Sequence, residues 1–242
     1  MTVVITGASS GIGRALAVEM AGRGYALGLT ARRLSLLEKL RDELKAKHGK
    51  DLRIELATLD VCQAESVVPT LHDLFGRLGG IDTIVVNAGA NDVTQIGSGD
   101  LDKELNLIQT NLAGAIATIN SATEHFLKRC QGHIVSISSL ASLQPIAGQA
   151  AYCASKAGLS MYVNSARVDV TTDGAMWLVV PVSWDPGWSA TVGGRSVPVL
   201  RGDHQRVVVE VPAGSSTVEL RYRPPGLTAG IVITVLGVLS LA

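Results

Sequence analysis

The chain has 242 residues, 47% of them hydrophobic, with 21 basic residues balancing 21 acidic ones to a formal net charge of zero. That length and apolar content suffice for a sizeable core, and the neutral balance offers no electrostatic footprint for nucleic acid or an acidic membrane surface. The cysteines Cys62, Cys130 and Cys153 are far apart and odd in number, and the five histidines are scattered. This excludes a disulfide framework and a metal site with ligand spacing, and it suits a reducing compartment.

The chain enters a β-branched strand, Val3-Val4-Ile5, at once, so no signal peptide is expected and a cytoplasmic location follows. The strand runs into Thr6-Gly7-Ala8-Ser9-Ser10-Gly11-Ile12-Gly13 and then a helical pattern over 12–23. A strand, a glycine turn and a helix in that order make a phosphate cradle. The glycines allow a tight turn and close approach, and the helix N-terminus faces the anion. A second strand is expected over 25–30. The capping-box pattern Ser35-x-x-Glu38 opens a helix to about residue 48. A third strand over 53–58 leads to Asp60, and a helix over 64–78 tolerates Pro69 only near its first turn. A fourth strand over 82–86 ends at Asn87-Ala88-Gly89, one long helix covers 100–129, and a fifth strand over 133–137 ends at Ser138-Ser139. A helix over 150–168 follows. Alternation of this kind predicts an α/β fold of the Rossmann type, a doubly wound parallel sheet with helices on both faces. Ligands then bind at the carboxyl ends of the strands, where Gly7, Asp60, Asn87 and Ser139 all fall.

The pattern changes near residues 167–173. All three tryptophans, Trp177, Trp184 and Trp188, come later, and no lysine follows Lys156. Short strand-like runs at 176–182, 195–200, 205–211 and 216–223 are separated by Asp-Pro-Gly, Gly-Gly, Gly-Asp and Pro-Ala-Gly turns, predicting a β-rich antiparallel segment over 174–225. Residues 226–242 form an uncharged apolar run, readable as a buried helix or a truncated membrane span. The domains expected are therefore 1–168, 174–225 and 226–242.

Tyr152 and Lys156 lie one helical turn apart in Tyr152-Cys153-Ala154-Ser155-Lys156 and share a face. An ammonium beside a phenol favours the phenolate, which suits a tyrosine for acid–base work. Together with the glycine turn, Asp60, Asn87-Ala88-Gly89, Asn111 and Ser139, in this order and spacing, residues 1–168 resemble the short-chain dehydrogenase/reductase family (SDR). The resemblance implies an oxidoreductase that transfers a hydride between a nicotinamide cofactor and a carbonyl or alcohol. Tyr152 would be the general acid or base and Ser139 would hydrogen-bond the reacting oxygen. Lys156 would hold the nicotinamide ribose and Asn111 a water linking Lys156 to solvent. The cofactor would contact Thr6, Gly7, Ser9, Ser10, Gly11, Ile12, Gly13, Asp60, Val61, Asn87, Ala88 and Gly89, besides Tyr152 and Lys156. The second strand runs into Ala31-Arg32-Arg33 without an acidic residue to meet a ribose 2′-hydroxyl. Arg32, with Arg33 or Arg14, is instead suited to a 2′-phosphate, so NADP(H) is expected over NAD(H). Relatives pair through the long helix and the Tyr-Lys helix, which implies a homodimer or homotetramer. Any membrane contact would fall to 226–242.

The resemblance breaks after residue 168. Pro186-Gly187-Trp188-Ser189-Ala190-Thr191 imitates the family's P-G-x-x-x-T turn but lies a few residues too far from Tyr152, and no substrate-covering helices follow. The segment 174–242 instead resembles the C-terminal end of bacterial YfhO-type membrane proteins. The chain thus reads as a chimera of a truncated reductase and an unrelated fragment, with an inactive nucleotide-binding remnant as the alternative to an enzyme. Without its sixth strand the sheet would have an open edge, which 176–182 could occupy.

Overall fold

Five short, largely apolar segments build a parallel sheet: β1 (Thr2–Thr6), β2 (Ala26–Ala31), β3 (Ile54–Thr58), β4 (Thr83–Val86) and β5 (His133–Ser136), in the order β3-β2-β1-β4-β5. The computed structural model describes residues 1–129, 131–164, 167–172, 174–183, 185–202 and 206–222. The chain divides into two compact units, Met1–Ser160 and Met161–Ala242.

Strand alternation gives the first unit two cores. Val3 and Ile5 of β1 face one side with Val85, packing on Ala17 and Ala21 of α1 (Gly11–Gly22) and on Leu37, Leu40 and Leu44 of α2 (Leu34–His48). Val4 faces the other with Ile84 and Val86, against Leu71, Leu74 and Phe75 of α3 (Ala64–Arg77) and Ala115, Ala122 and Phe126 of α5 (Gly114–Arg129). Gly28 in β2 is needed on this side, because a Cβ there would stand 2.7 Å from Val4 and 2.8 Å from Leu78.

Several local expectations are corrected. Helix α2 opens on Arg33 without a side-chain cap bond, so the Ser35–Glu38 capping box does not form. Pro69 lies inside α3, beyond its first turn. Pro69 and Glu65, whose carbonyl the ring cannot serve, both lie on the exposed face where water can. The long helix over 100–129 is broken. Helix α4 (Leu101–Ile108) passes through a π-helical turn, Gln109–Ala113, before α5. Helix α6 spans Ala150–Asn164. The next run, Arg167–Thr172, is a strand (β6) rather than the end of that helix.

The second unit is antiparallel. One sheet has the order β6-β12-β8-β9, with β8 (Trp188–Val192), β9 (Arg195–Val197) and β12 (Gly214–Tyr222). The other has the order β10-β11-β7, with β7 (Met176–Ser183), β10 (Leu200–Arg201) and β11 (Arg206–Val211). Period-two alternation buries Val207, Val209 and Val211 of β11 against Ala190 and Val192 of β8 and Val218 and Leu220 of β12. Strand β7 pairs with β11, not with β5. Among the described residues β5 pairs only with β4, so one edge of the parallel sheet stays open. The Pro186-Gly187 turn leads into β8, where Thr191 pairs opposite Glu219. No helix among the described residues is long and apolar enough to cross a membrane. The apolar run 226–242, Trp184 and Cys130 lie outside the described residues.

Candidate functional site

The glycine turn is locked to the end of β4. Thr6, fully buried, uses its whole hydroxyl: it donates to the Val85 carbonyl (3.4 Å) and accepts from the Asn87 and Ala88 N–H groups (3.1 Å each). The Asn87 amide donates back to the carbonyls of Thr6 (2.9 Å) and Gly7 (3.4 Å). Gly7 has φ +68° and its Cβ would stand 2.8 Å from Ala88 Cα. A Cβ on Gly13 would stand 2.5 Å from both Asn87 Nδ2 and the Gly7 carbonyl oxygen. These close approaches exclude side chains and bring two strand ends together. Helix α1 then begins at Gly11, with Ser10 in extended conformation making no side-chain cap bond and no acid in the first turn. Its N–H groups and dipole are left to an anion.

A cleft of about 480 Å³ opens here, at the carboxyl ends of the strands, within the size range of small-molecule sites. It brings together Gly7, Ser9, Ser10, Gly11, Ile12, Arg32, Arg33, Asp60, Val61, Asn87, Ala88, Gly89, Tyr152 and Lys156. Thr6, Gly13 and Asn111 act from behind its wall, and Ser138 rather than Ser139 lines it. Among the described residues Asp60 is the one acid on the wall, and its carboxylate accepts from the Cys62 N–H (3.1 Å). Arg32 and Arg33, on the same wall at the end of the neighbouring strand β2, are exposed. Arg14 is drawn away by its ion pair with Glu43, so it does not assist them. The wall also contains Cys62, Asn106 and Thr110, which sequence reasoning missed. Thr110 donates to the Asn106 carbonyl (2.8 Å), which leaves the Cys62 thiol to donate to the Thr110 hydroxyl (3.0 Å). The one-turn spacing of Asn106 and Thr110 was the available signal.

At the inner end, α6 presents Tyr152, half-buried, and Lys156, only 6% exposed. Lys156 Nζ donates to the Ile137 carbonyl (2.9 Å) at the end of β5 and lies 6.0 Å from the Tyr152 ring centre. Asn111 is 1% exposed in the π turn. Its amide pairs at two points with Ala90, accepting from N–H (2.7 Å) and donating to C=O (2.8 Å), and it also donates to the Ser155 hydroxyl (3.1 Å). Ser139 caps a short 3-10 turn, Leu140–Ser142, by accepting from the Ala141 N–H (3.1 Å). That leaves its own proton available to donate.

Over residues 1–191 the sequence matches the short chain dehydrogenase family. The chain belongs to that family. This short-chain dehydrogenase is 39% identical to an uncharacterized oxidoreductase of Myxococcus xanthus, over 72% of this chain and 67% of that protein. It is 40% identical to one of Mycobacterium tuberculosis, over 69% and 66%. Among solved structures, an alcohol dehydrogenase from the archaeon Thermococcus sibiricus, complexed with 5-hydroxy-NADP, superposes with a TM-score of 0.63 at 32% identity, over 67% of this chain and 68% of that one. The matched part thus spans about two thirds of each relative. Residues 149–234 also match the bacterial membrane protein YfhO family, so the two matches overlap across α6.

Burial holds the Lys156 amine below its ordinary value of 10.5. The charged amine bears a cost of burial in the native state that the unfolded chain does not bear. As pH rises between the lowered native value and 10.5, the native amine loses its proton first and that cost is relieved. The stability of the wild-type protein relative to Lys156→Met is therefore expected to increase on going from pH 7 towards pH 10, read from urea midpoints.

Proposed function

We propose that the protein is an NADP(H)-dependent oxidoreductase interconverting a carbonyl compound and an alcohol. The observation that carries this reading is the single cleft wall shared by the glycine turn, two arginines and the Tyr152–Lys156 pair. The residues fit a dinucleotide: a Cβ has no room at Gly7 or Gly13, the two ends of the cradle, and α1 is uncapped towards the cleft. Gly7, Ser9, Ser10, Gly11 and Ile12 would hold the pyrophosphate. Arg32 and Arg33 would hold the 2′-phosphate, Asp60 and Val61 would border the adenine, and Asn87 and Gly89 would line the ribose side. When bound, the nicotinamide supplies the hydride. Tyr152 delivers its phenolic proton to the carbonyl oxygen in the reducing direction and takes it back in the other. Ser139 donates its free hydroxyl proton to the same oxygen. Lys156, fixed by Ile137, holds the nicotinamide ribose beside Tyr152.

NADPH is expected to bind at least about tenfold more tightly than NADH, and Arg32→Ala to erase most of that difference, since a hydrogen bond to a charged group contributes roughly 1.5–3 kcal/mol. Calorimetric titration with each nucleotide checks this. Equal affinities in the wild type would refute the phosphate role of Arg32.

A second reading is favoured by the YfhO match over 149–234 and by the open edge of β5. The chain would join the nucleotide-binding part of a reductase to a β unit of different origin. Nucleotide binding without turnover of any carbonyl compound would support this remnant and exclude the enzyme.

A further inference from the structure

The reading above uses Tyr152, Lys156, Ser139 and Asn111, but not Ser155, which stands between them. Ser155 is fully buried, with 0% exposure. Its hydroxyl proton goes to the Tyr152 carbonyl (2.7 Å). With that proton committed, what it offers Asn111 is a lone pair, and Asn111 Nδ2 donates to it (3.1 Å). The other amide proton goes to the Ala90 carbonyl (2.8 Å), so both N–H bonds are used. The Asn111 oxygen accepts from Ala90 N–H (2.7 Å) and lies on the Gly89 side, where a Cβ at Gly89 would meet it at 3.1 Å and Lys156 Nζ at 3.7 Å.

Three segments thus meet at one carboxamide. Ala90 fixes which way it faces, because reversal would set N–H against N–H and oxygen against oxygen. Ser155 fixes where the π turn stands relative to α6. A π turn has weaker internal regularity than the helices flanking it, so an external tie is what keeps Asn111 at a constant distance from Lys156 and Tyr152. Neither Cys153 nor Ala154 makes such a contact.

We infer that Ser155 is a positioning residue of this site: its hydroxyl couples helix α6 to the π turn and so holds the Asn111 carboxamide in register with Tyr152 and Lys156. The inference rests on the oxidoreductase reading for its kinetic consequence, but not for its structural one.

The test uses the full chain and two variants, Ser155→Ala and Ser155→Thr. The first measurement is hydrogen exchange of the Asn111 side-chain amide by NMR on 15N-labelled protein, with the signal assigned through Asn111→Asp. Exchange is expected to quicken by about tenfold or more in Ser155→Ala, as for any buried amide proton that loses its acceptor. Ser155→Thr keeps a hydroxyl able to bond the preceding turn, and it should restore the slow rate. The second is NADPH-dependent reduction over a panel of carbonyl compounds. Here kcat should fall about tenfold in Ser155→Ala, with KM for NADPH unchanged and the pH profile of kcat displaced, a pattern that general loss of stability does not produce. Unchanged exchange in Ser155→Ala overturns the coupling. Faster exchange with unchanged kcat and pH profile overturns its part in the reaction. Faster exchange in a chain whose wild type reduces no carbonyl upholds the coupling and sinks the oxidoreductase reading instead.

Discussion

Replacing Tyr152 by phenylalanine is expected to lower carbonyl reduction by about 10²–10⁴-fold, the usual contribution of a positioned general acid, while NADPH affinity stays the same. The substitution replaces the phenolic hydroxyl, and with it the transferable proton, by a ring hydrogen and changes nothing else. The backbone carbonyl of Tyr152 still accepts from Ser155, and Lys156 still donates to Ile137, so α6 keeps its anchors. Loss therefore falls on the chemical step, and single-turnover rates with saturating NADPH should show it as fully as steady-state rates do. A Tyr152→Phe protein that reduces carbonyls at the wild-type rate would remove the tyrosine from the mechanism.

The second large effect is expected at Gly13. A methyl group there must displace both the Gly7 carbonyl and the Asn87 amide, each 2.5 Å away. Asn87 cannot retreat without giving up its bonds to Thr6 and Gly7, and the Gly7 carbonyl belongs to the phosphate turn itself. Overpacking of this kind typically costs about 1–3 kcal/mol. Gly13→Ala should lower the urea midpoint accordingly, and NADPH binding should weaken by about tenfold or more, since a shift of the turn misaims several N–H donors at once. Gly76→Ala is the control, because a Cβ there meets nothing within 4 Å. It should leave NADPH affinity unchanged and, since Gly76 lies in α3, raise the urea midpoint slightly rather than lower it. Gly13→Ala with wild-type stability and affinity would mean that the turn is looser than its contacts state.

The parallel half of the fold was legible because its signals are local and repeated. Val3, Val4 and Ile5 alternate between two cores, and β1 and β4 run into Gly7 and Asn87, residue types that turn a chain. What was not legible depended on partners distant in sequence. Arg14 looked free to help Arg32 until its pairing with Glu43 on α2 became visible. The tie between the segments around Thr94 and Gln149, a single parallel bridge, has no periodicity to betray it. Arg167–Thr172 alternates as a strand does, but Val168 also suits the apolar face of the preceding helix, and the helical reading absorbed it. The expectation that 176–182 would close the parallel sheet failed for a similar reason. Val207, Val209 and Val211 offer β7 an antiparallel partner with its own buried face. Of the candidate site, the residue types were evident and the network among Ala90, Asn111 and Ser155 was not, because hydrogen-bond partners of an amide cannot be read from spacing.

The π turn at Gln109–Ala113 makes chain length itself a determinant of the site. A π turn holds one residue more than an α turn over the same rise. Deleting a single residue from it would let the backbone relax into continuous α-helix from Leu101 to Arg129. Ala115, Ala122 and Phe126 would keep their phase against α3, because the excess residue is absorbed where it arises. Asn111 would lose its place opposite Ala90. A one-residue deletion is usually the most disruptive change a helix can suffer. In this helix it would spare the packing and disturb only what the π turn presents, the Asn111 carboxamide together with the contacts of Gln109 and Thr110 to Cys62.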